Sequence, residues 1–462
     1  MKRPKKITIS GAGLVGSLLA VLLGKRGYEV TLIERRPDMR DVETESGRSI
    51  NLALSSRGID ALKMAGLMEG VENLLIPMRG RMLHFQDGQQ EFMPYGQRPN
   101  EVIYSVSRRD LNCLMMTAAE KAEPVEVVFN RKLESIDFEN NQFAVRDLTT
   151  NEVTDQTFEL LIGADGAGSR TRRALIPVAG GDSKSEFLGH DYKELEIPAG
   201  KRDSDGNGTY QIEREALHVW PRGGFMLIAL PNQDGSFTVT LFLPKTGENS
   251  FEKLTDRKSL ELFFAENFSG AMELIPDLES DFFSNAQGRL GTVRCEPWFY
   301  QDKALILGDA SHAIVPFHGQ GMNSGFEDCS QLVRLLDKFN DDWERVLPEF
   351  DRIRRPNANA IADMALENYV TMRSSVADPK FQLKKEIGFE LEKRFPNRFV
   401  PRYSMVMFHL IPYAKAYARG EVQQEILDQL ADQVDSISDV DFSKAAQLIE
   451  KRLPVVDFGS PE

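Results

Sequence analysis

The stretch Gly11-Ala12-Gly13-Leu14-Val15-Gly16 decides the fold of this chain. An alternating run from Lys6 to Ser10 predicts a strand before it, Leu14 to Lys25 predicts a helix after it, and Glu29 to Glu34 predicts a second strand. The first glycine permits the tight turn, the second lets a pyrophosphate approach the backbone, and the third lets the helix pack on the strand. The pattern predicts a βαβ unit that binds a dinucleotide.

Glu34 strengthens this prediction because it ends the second predicted strand, where a carboxylate can accept hydrogen bonds from a ribose hydroxyl. A purely structural glycine turn is the alternative interpretation. This half of a site does not distinguish FAD from NAD.

The charge balance limits the possible partners. The chain has 462 residues with 70 acidic and 56 basic side chains, a net charge of −14, which argues against a nucleic-acid surface and for a soluble protein. An anionic ligand must therefore be met by local arginines.

The cysteines and the hydropathy bear on location. Cys113, Cys295 and Cys329 are odd in number and far apart, so no disulfide framework and no metal site are predicted, and a reducing cytoplasm fits best. The basic start, Met1 to Lys6, is followed by no apolar signal core, and even the stretch Tyr403 to Tyr413 is too short to span a bilayer. We expect neither export nor a membrane anchor.

A second glycine-rich motif runs from Gly163 to Arg172, after another predicted strand. Its basic residues at the start of a helical stretch could neutralise a phosphate. The alternative is an ordinary turn in which Asp165 or Ser169 caps a helix, and the motif alone leaves both open.

A third motif runs from Gly308 to Asn323. Asp309 can accept a hydrogen bond from a sugar-chain hydroxyl, Pro316 rigidifies the loop, and the amides that follow present a helix N-terminus to an anion such as a reduced isoalloxazine. His312 and His318 could be ordinary loop histidines, and for His312 we favour that interpretation.

These three motifs, in this order, resemble the single-component flavoprotein aromatic hydroxylases. The resemblance implies a bound FAD, reduction by NADPH, and addition of O2 to give a C4a-hydroperoxide that hydroxylates an aromatic ring. It places Arg35 and Arg57 near the ADP part, gives the Asp165 motif a role with both FAD and NADPH, and has Asp309 hold the ribityl chain. Because the sequence has no second dinucleotide fingerprint, NADPH would dock transiently on the FAD domain.

Further stretches resemble the kynurenine 3-monooxygenase family within that superfamily. They are Gly47 to Ser55, Met78 to His84, Met93 to Gly96, Ser105 to Arg108 and Val315 to Asn323. The resemblance implies conversion of L-kynurenine to 3-hydroxy-L-kynurenine in tryptophan catabolism, with a link to pyridine nucleotide biosynthesis. The chain departs from the family at Thr371, where glutamate is usual. It also lacks the membrane-anchoring tail of eukaryotic members, which favours a bacterial-type soluble form.

The resemblance assigns a set of residues to the cofactor. The FAD contacts that it implies are Val15, Glu34, Arg35, Ala53, Arg57, Arg108, Leu133, Asp165, Asp309, Met322 and Asn323, in addition to Gly11, Gly13, Gly16, Pro316 and Gly321, which the motifs themselves predict.

It also assigns residues to the substrate. Arg81, Tyr95, Asn368 and Tyr403 would hold the amino-acid carboxylate, for which a planar guanidinium is the natural partner. A solvated arginine in an irregular segment is the alternative for Arg81.

The substrate ring would lie on an apolar sheet face with the flavin beyond it. The residues chosen for that face are Leu217, Ile228, Leu230 and Phe242, with Met372 beside them. Each could equally be plain core. Phe317 and His318 would lie between ring and flavin as positioning residues, and no side chain need act as a nucleophile.

The predicted fold class is α/β, with a C-terminal helical region. A Rossmann-like FAD-binding domain (1–76, 102–181 and 289–370) is interrupted by an antiparallel-sheet substrate domain (77–101 and 182–288), and 371–462 form the helical region. A halogenase or flavin reductase on the same scaffold is one rival, although the halogenase Trp-x-Trp element is absent. A flavin-binding redox regulator is another. The oligomeric state is left open, with a homodimer as one option.

Overall fold

A computed structural model describes residues 4–41, 51–201, 208–374, 378–432 and 434–458. The chain forms two compact units, each assembled from separate segments. The first comprises Met1–Leu75, Val106–Phe187 and Gly291–Ala362, and the second comprises Ile76–Ser105, Leu188–Leu290 and Asp363–Glu462. The predicted three-part division, with the last helices as a separate region, stays a prediction.

The strands alternate with helices in the first part of the chain and follow one another in the middle. They are β1 (Lys6–Ser10), β2 (Glu29–Ile33), β3 (Asn51–Leu54), β4 (Ile76–Met78), β5 (Gly80–His84), β6 (Gln90–Pro94), β7 (Ile103–Ser107), β8 (Val125–Val128), β9 (Arg131–Asp137), β10 (Gln142–Asp147), β11 (Val153–Thr157), β12 (Leu160–Gly163), β13 (Asp182–Ile197), β14 (Ala216–Pro221), β15 (Met226–Pro231), β16 (Phe237–Pro244), β17 (Gly288–Glu296), β18 (Phe299–Tyr300) and β19 (Ala304–Ile306).

Helices dominate the last part of the chain. They are α1 (Leu14–Lys25), α2 (Ser56–Met64), α3 (Met68–Glu72), α4 (Arg108–Lys121), α5 (Arg170–Val178), α6 (Arg257–Asn267), α7 (Ser269–Met272), α8 (Leu278–Ser284), α9 (Asp309–His312), α10 (Gly321–Lys338), α11 (Trp343–Ser374), α12 (Pro379–Arg394), α13 (Arg402–Met407), α14 (Tyr413–Ala431) and α15 (Phe442–Arg452). Short 3-10 helices occupy Phe251–Lys253, Pro316–His318 and Ile437–Asp439.

The first unit is built on a six-stranded sheet in the order β18-β19-β12-β1-β2-β8. All neighbours are parallel except β18 and β19. Parallel strands joined by helices are buried on both faces, which explains why the successive residues Ile7, Thr8 and Ile9 of β1 are all buried. The predicted βαβ unit is confirmed, with β1 and α1 at the predicted residues and β2 ending one position earlier, at Ile33.

The second unit contains most of a seven-stranded sheet in the order β17-β13-β16-β15-β14-β5-β6. Of its pairs, β5 and β14 run parallel, whereas β14, β15, β16 and β13 are antiparallel neighbours. One face packs on α6, α7 and α8 through a core that includes Trp220, Leu227, Leu241, Phe264 and Phe268. This is the predicted antiparallel sheet with a buried face.

The opposite face of this sheet carries the residues chosen for the substrate ring. The register pairs Leu217 with Arg81 on β5. Because side chains on a strand alternate between faces, Leu217, Ile228, Leu230 and Phe242 all lie on the same face as Arg81.

The C-terminal helices form a core of their own around Ile387, Leu391, Ile426 and Ile449. In the described ranges, none of the helices combines the length and apolar character needed to cross a bilayer.

Candidate active site

The first glycine motif lies between the end of β1 and the start of α1. A Cβ at Gly16 would lie 1.9 Å from the Gly11 carbonyl oxygen, and one at Gly11 would lie 2.6 Å from the Ala164 carbonyl oxygen, so close packing excludes a side chain at both. A Cβ at Gly13 meets no atom within 4 Å. Packing therefore does not explain why residue 13 is a glycine, and its predicted contact with a phosphate stays a prediction. The N-terminus of α1 has no side-chain cap, which suits an anion there.

Glu34 is buried just beyond β2 and stays ionised. It accepts hydrogen bonds from the Ala12 backbone N–H (2.9 Å) and from the Arg36 Nε (2.8 Å). Burial alone would raise the pKa of Glu34, but the hydrogen bonds and charge of Arg36 hold it below its usual value. Arg35, the predicted contact, is exposed. Arg36 was not predicted, because two adjacent arginines follow Glu34 and their sequence gave no signal to choose between them.

The Asp165 carboxylate is bound by residues that follow it in the same loop. It accepts hydrogen bonds from Ser169 Oγ (2.5 Å), the Arg170 N–H (2.8 Å) and the Thr171 N–H (3.1 Å). Ser169 in turn caps α5. The capping bonds that the alternative interpretation expected are therefore present. A role of Asp165 with FAD or NADPH stays a prediction.

The first and third motifs meet at Val15. A Cβ at Gly308, whose φ is +58°, would lie 3.2 Å from Val15 Cγ1, and one at Gly325 on α10 would lie 2.6 Å from Val15 Cγ2. The chain places Asp309 next to this contact, at the exposed start of α9. No described residue forms a hydrogen bond or ion pair with its carboxylate, so Asp309 can accept a hydrogen bond from a sugar-chain hydroxyl.

A buried charge network supports the Gly308 turn. Asp328 accepts hydrogen bonds from the Gly308 N–H (2.8 Å), His312 Nε2 (2.5 Å) and Arg354 Nε (2.7 Å). Arg354 also donates to Glu327 (2.6 Å), which pairs with the fully buried Arg57. Burial would raise the pKa of both carboxyls, but these cationic partners lower it. Arg57 is therefore held inside the protein, and its predicted place near the ADP part stays a prediction.

This buried charge network was not predicted from the sequence. The histidine at position 312 was treated as an ordinary loop residue, yet it lies stacked on Trp298 with ring centroids 5.0 Å apart and bonded to Asp328. Two adjacent acids in the apolar helix after the third motif were the available signal.

Asn323 connects further predicted cofactor residues. Its Oδ1 accepts from the Ser55 N–H (2.9 Å), and its Nδ2 donates to the carbonyl oxygens of Ala53 (2.7 Å) and Gly319 (2.8 Å). Asn323 is fully buried, so it fixes the chain around Ala53 against the start of α10.

The other predicted residues of the first unit are distributed over this frame. Gly321 and Met322 begin α10, Pro316, Phe317 and His318 form the preceding 3-10 helix, Leu133 is buried on β9, and Arg108 is exposed at the start of α4. Their contacts with FAD or substrate stay predictions. Gly47 to Ile50 lie outside the described residues.

In the second unit the structure brings together Arg81, Tyr95 and Tyr403. The Arg81 guanidinium lies 5.7 Å from the Tyr95 ring centroid and 5.6 Å from that of Tyr403. The two rings stack on each other at 5.4 Å with an interplanar angle of 16°. Burial raises the pKa of both tyrosines, so their hydroxyls stay protonated and can donate.

Arg81 lacks a counterion among the described residues. Across the described ranges, its buried Nε has no hydrogen-bond partner and no carboxylate forms a salt bridge with it. A buried donor of this kind is costly unless a ligand satisfies it. The solvated arginine offered as the alternative would have no such buried atom.

The remaining substrate residues lie on α11 and on the sheet. Asn368 Nδ2 lies 3.5 Å from Met372 Sδ, one helical turn away. Thr371 donates to the Glu367 carbonyl oxygen (3.2 Å), a bond within the helix. Leu230 and Phe242 are buried, whereas Leu217 and Ile228 are only half-buried, so this sheet face is incompletely covered.

Solved structures share this fold. The tetrameric form of 2-methyl-3-hydroxypyridine-5-carboxylic acid oxygenase matches with a TM-score of 0.64 at 18% identity, covering 81% of this chain and 94% of that one. PqsL of P. aeruginosa in complex with 2-aminobenzoylacetate matches with a TM-score of 0.64 at 20% identity, covering 80% and 96%. At these identities the likeness establishes the fold, which confirms the predicted fold class.

Sequence relatives are much closer. Residues 5–365 match the FAD binding domain family. Kynurenine 3-monooxygenase of Myxococcus xanthus (strain DK1622) is 46% identical over 451 residues, covering 98% of this chain and 96% of the relative. Kynurenine 3-monooxygenase of Stenotrophomonas maltophilia (strain K279a) is 46% identical over 453 residues, covering 98% of each. The chain therefore belongs to the kynurenine 3-monooxygenase family and carries its FAD-binding domain.

Proposed function

We propose that this protein is an FAD-dependent monooxygenase that converts L-kynurenine to 3-hydroxy-L-kynurenine, with NADPH and O2 as co-substrates. The observation that carries the proposal is Arg81, a cation with a buried, unsatisfied Nε beside two tyrosines that stack on each other. Such a site calls for a carboxylate. The similarity to kynurenine 3-monooxygenases over nearly the whole chain identifies which carboxylate-bearing ligand to test.

The Arg81 cluster suits the amino-acid end of the substrate. A guanidinium can present two parallel N–H groups to a carboxylate, and the protonated hydroxyls of Tyr95 and Tyr403 can donate to its remaining lone pairs. In a chain of net charge −14, a local cation is required to overcome repulsion of an anionic ligand. Asn368 is proposed as a further polar contact.

The sheet face suits the aromatic end. Leu217 and Ile228 are half-buried beside the buried Leu230 and Phe242, and they offer an apolar surface on the same face as Arg81. Burial of an aromatic ring on apolar side chains is favourable by about 25 cal/mol for each Å² removed from water. The two ends of the substrate thus meet chemically matched surfaces.

Bound FAD would supply the redox chemistry, since a flavin can accept hydride from NADPH and then activate O2. Gly13 and the N-terminus of α1 would hold its pyrophosphate, and Glu34 and Asp309 would hold its sugar hydroxyls. The protein contributes orientation and exclusion of water rather than a nucleophile. We propose Phe317 and His318 as positioning residues.

The experiment that tests this function is anaerobic reduction of the flavin-loaded protein by NADPH, with and without L-kynurenine. We expect the substrate to accelerate reduction, and admission of O2 to give 3-hydroxy-L-kynurenine. A rate of NADPH oxidation that is the same with and without L-kynurenine would favour a flavin reductase. Absence of any NADPH oxidation would favour a flavin-binding redox regulator. Either result would contradict the proposal.

Two properties of the whole protein stay proposals. The free cysteines Cys113, Cys295 and Cys329 suit a cytoplasmic location. A homodimer can be tested by sedimentation of the flavin-loaded protein.

A further inference from the structure

One face of α12 is fixed to the segment that follows β6. The Gln97 amide donates to Glu392 Oε2 (2.7 Å) and to the Phe389 carbonyl oxygen (3.0 Å). Arg98 donates to Glu392 Oε1 (3.0 Å). Lys385, Phe389 and Glu392 stand at positions i, i+4 and i+7, which share one face of a helix. The same face that binds the segment after β6 therefore carries Lys385.

The Lys385 ammonium lies next to the Arg81 cluster. It donates to the carbonyl oxygen of Pro94 (3.3 Å), the residue before Tyr95, and lies 5.4 Å from the Phe389 ring centroid. An ammonium has three donors, so this hydrogen bond leaves two for another acceptor. No described carboxylate forms a salt bridge with Lys385.

Among the described residues, two charged groups act on the Lys385 ammonium. They are Arg81 on β5 and Glu91 on β6, while Tyr95 and Tyr403 stay neutral. Burial lowers the pKa of Lys385 to about 7, the charge of Arg81 adds to this shift, and Glu91 opposes it. Two cations held close together, one of them half-buried, favour an anion between or beside them.

We propose that Lys385 is a second cation of the substrate-carboxylate site, positioned by α12 to bind the carboxylate together with Arg81. The inference rests on the proposed function and adds a specificity residue to it. A carboxylate beside Lys385 stabilises the charged ammonium, so substrate binding takes up a proton in the neutral pH range. Affinity is then highest below about pH 7 and falls as the pH rises and Lys385 loses its proton.

The test measures binding of L-kynurenine to the flavin-loaded protein by calorimetry, from about pH 6 to about pH 8.5, a range that spans an ordinary titration curve. We expect Lys385→Met to weaken binding about 10-fold at the acidic end, as for loss of one charge-assisted hydrogen bond. Lys385→Arg should keep the affinity and remove its decline with pH. The wild-type affinity should approach that of Lys385→Met as the pH rises.

Two controls separate a role at the carboxylate from a structural effect. Lys384→Met removes the neighbouring ammonium, which pairs with Asp428 at 2.7 Å, and should leave binding unchanged. The substrate analogue that lacks the carboxylate should bind wild type and Lys385→Met equally, which a merely loosened site would not produce.

The outcomes distinguish the inference from the proposed function. Wild-type protein that does not bind L-kynurenine contradicts the function itself. Wild-type binding with an unchanged affinity and pH profile in Lys385→Met overturns the role of Lys385 and leaves the function intact.

Discussion

The buried charged residues of the two units differ in whether the protein supplies their counterions. In the first unit, Arg354 pairs with both Glu327 and Asp328, so these buried carboxylates have a cationic partner from the same chain. In the second unit, Arg81 lies against two neutral tyrosines, and the charges of Arg81 and Lys385 act on each other. A charge that the protein neutralises holds structure, whereas a charge left without a counterion prepares a site for a ligand. Substitutions in the two clusters should therefore affect different properties.

The largest effect should come from Arg354→Met. The change leaves two buried carboxylates without their shared cation, and breaking such a pair costs about 3–5 kcal/mol. We expect the free energy of unfolding, measured by urea titration at neutral pH, to fall by that order. Because the pKa of Glu327 and Asp328 is lowered in the folded protein, this stabilisation is present at neutral pH and is lost as the pH falls through their folded values.

Arg352→Met is the matched control on the same helix. Arg352 forms an exposed pair with Glu349 at 2.6 Å, and exposed pairs contribute little. Equal destabilisation by both variants would show that the buried network contributes no more to the free energy of unfolding than the exposed pair does.

The second-largest expected effect is on the affinity for L-kynurenine. Arg81→Ala removes the cation that faces the substrate carboxylate, and we expect the dissociation constant of L-kynurenine to rise about 100-fold. Bound FAD and thermal stability should be retained, because no described carboxylate forms a salt bridge with Arg81 that the substitution would break.

Arg79→Ala is the matched control for Arg81. Arg79 lies two residues earlier and forms an exposed pair with Glu215 at 2.6 Å. Unchanged kynurenine affinity in Arg81→Ala would show that Arg81 does not bind the ligand, and the proposed contrast between a structural charge network and a ligand-binding one would then be wrong.

The two units also differ in how far the sequence predicts them. The glycine turn, Glu34 and the flanking strand and helix are neighbours along the chain, so local pattern and spacing were sufficient, and the fold class is confirmed. Arg81, Tyr95 and Tyr403 are distant in sequence, and only the resemblance to a family selected them before the structure brought them together.

Contacts between distant residues were beyond sequence reasoning. The pairing of Glu327 and Asp328 with Arg354, and the position of Lys385 beside Pro94, depend on how whole helices pack. No local pattern encodes such packing, because a charged residue on a helix is usually solvated.

A third prediction separates the two kinds of glycine in the first motif. Gly13 has φ −74° and ψ −176°, which alanine adopts freely, and its Cβ would meet no protein atom within 4 Å. We expect Gly13→Ala to leave the unfolding of the apoprotein unchanged and to weaken FAD binding about 10-fold, or by about 1.4 kcal/mol. Flavin fluorescence during reconstitution measures the affinity.

Gly16→Ala provides the contrast for Gly13→Ala. Its Cβ would lie 1.9 Å from the Gly11 carbonyl oxygen, so the apoprotein itself should be destabilised. A Gly13→Ala protein that binds FAD normally would indicate that the phosphate does not approach the backbone there.

The smallest effect should come from Tyr403→Phe, which keeps the ring stacked on Tyr95 and removes one hydroxyl. A neutral hydrogen bond contributes about 0.5–1.5 kcal/mol, so the dissociation constant of L-kynurenine should rise about 3-fold. Calorimetry with substrate and with the analogue lacking the carboxylate distinguishes the possible causes. If Tyr403 donates to the carboxylate, only substrate binding weakens. Equal weakening for both ligands would assign Tyr403 to support of the Arg81 cluster, and Tyr95 and Asn368 would then be the uncharged groups left to bind the carboxylate beside the cations.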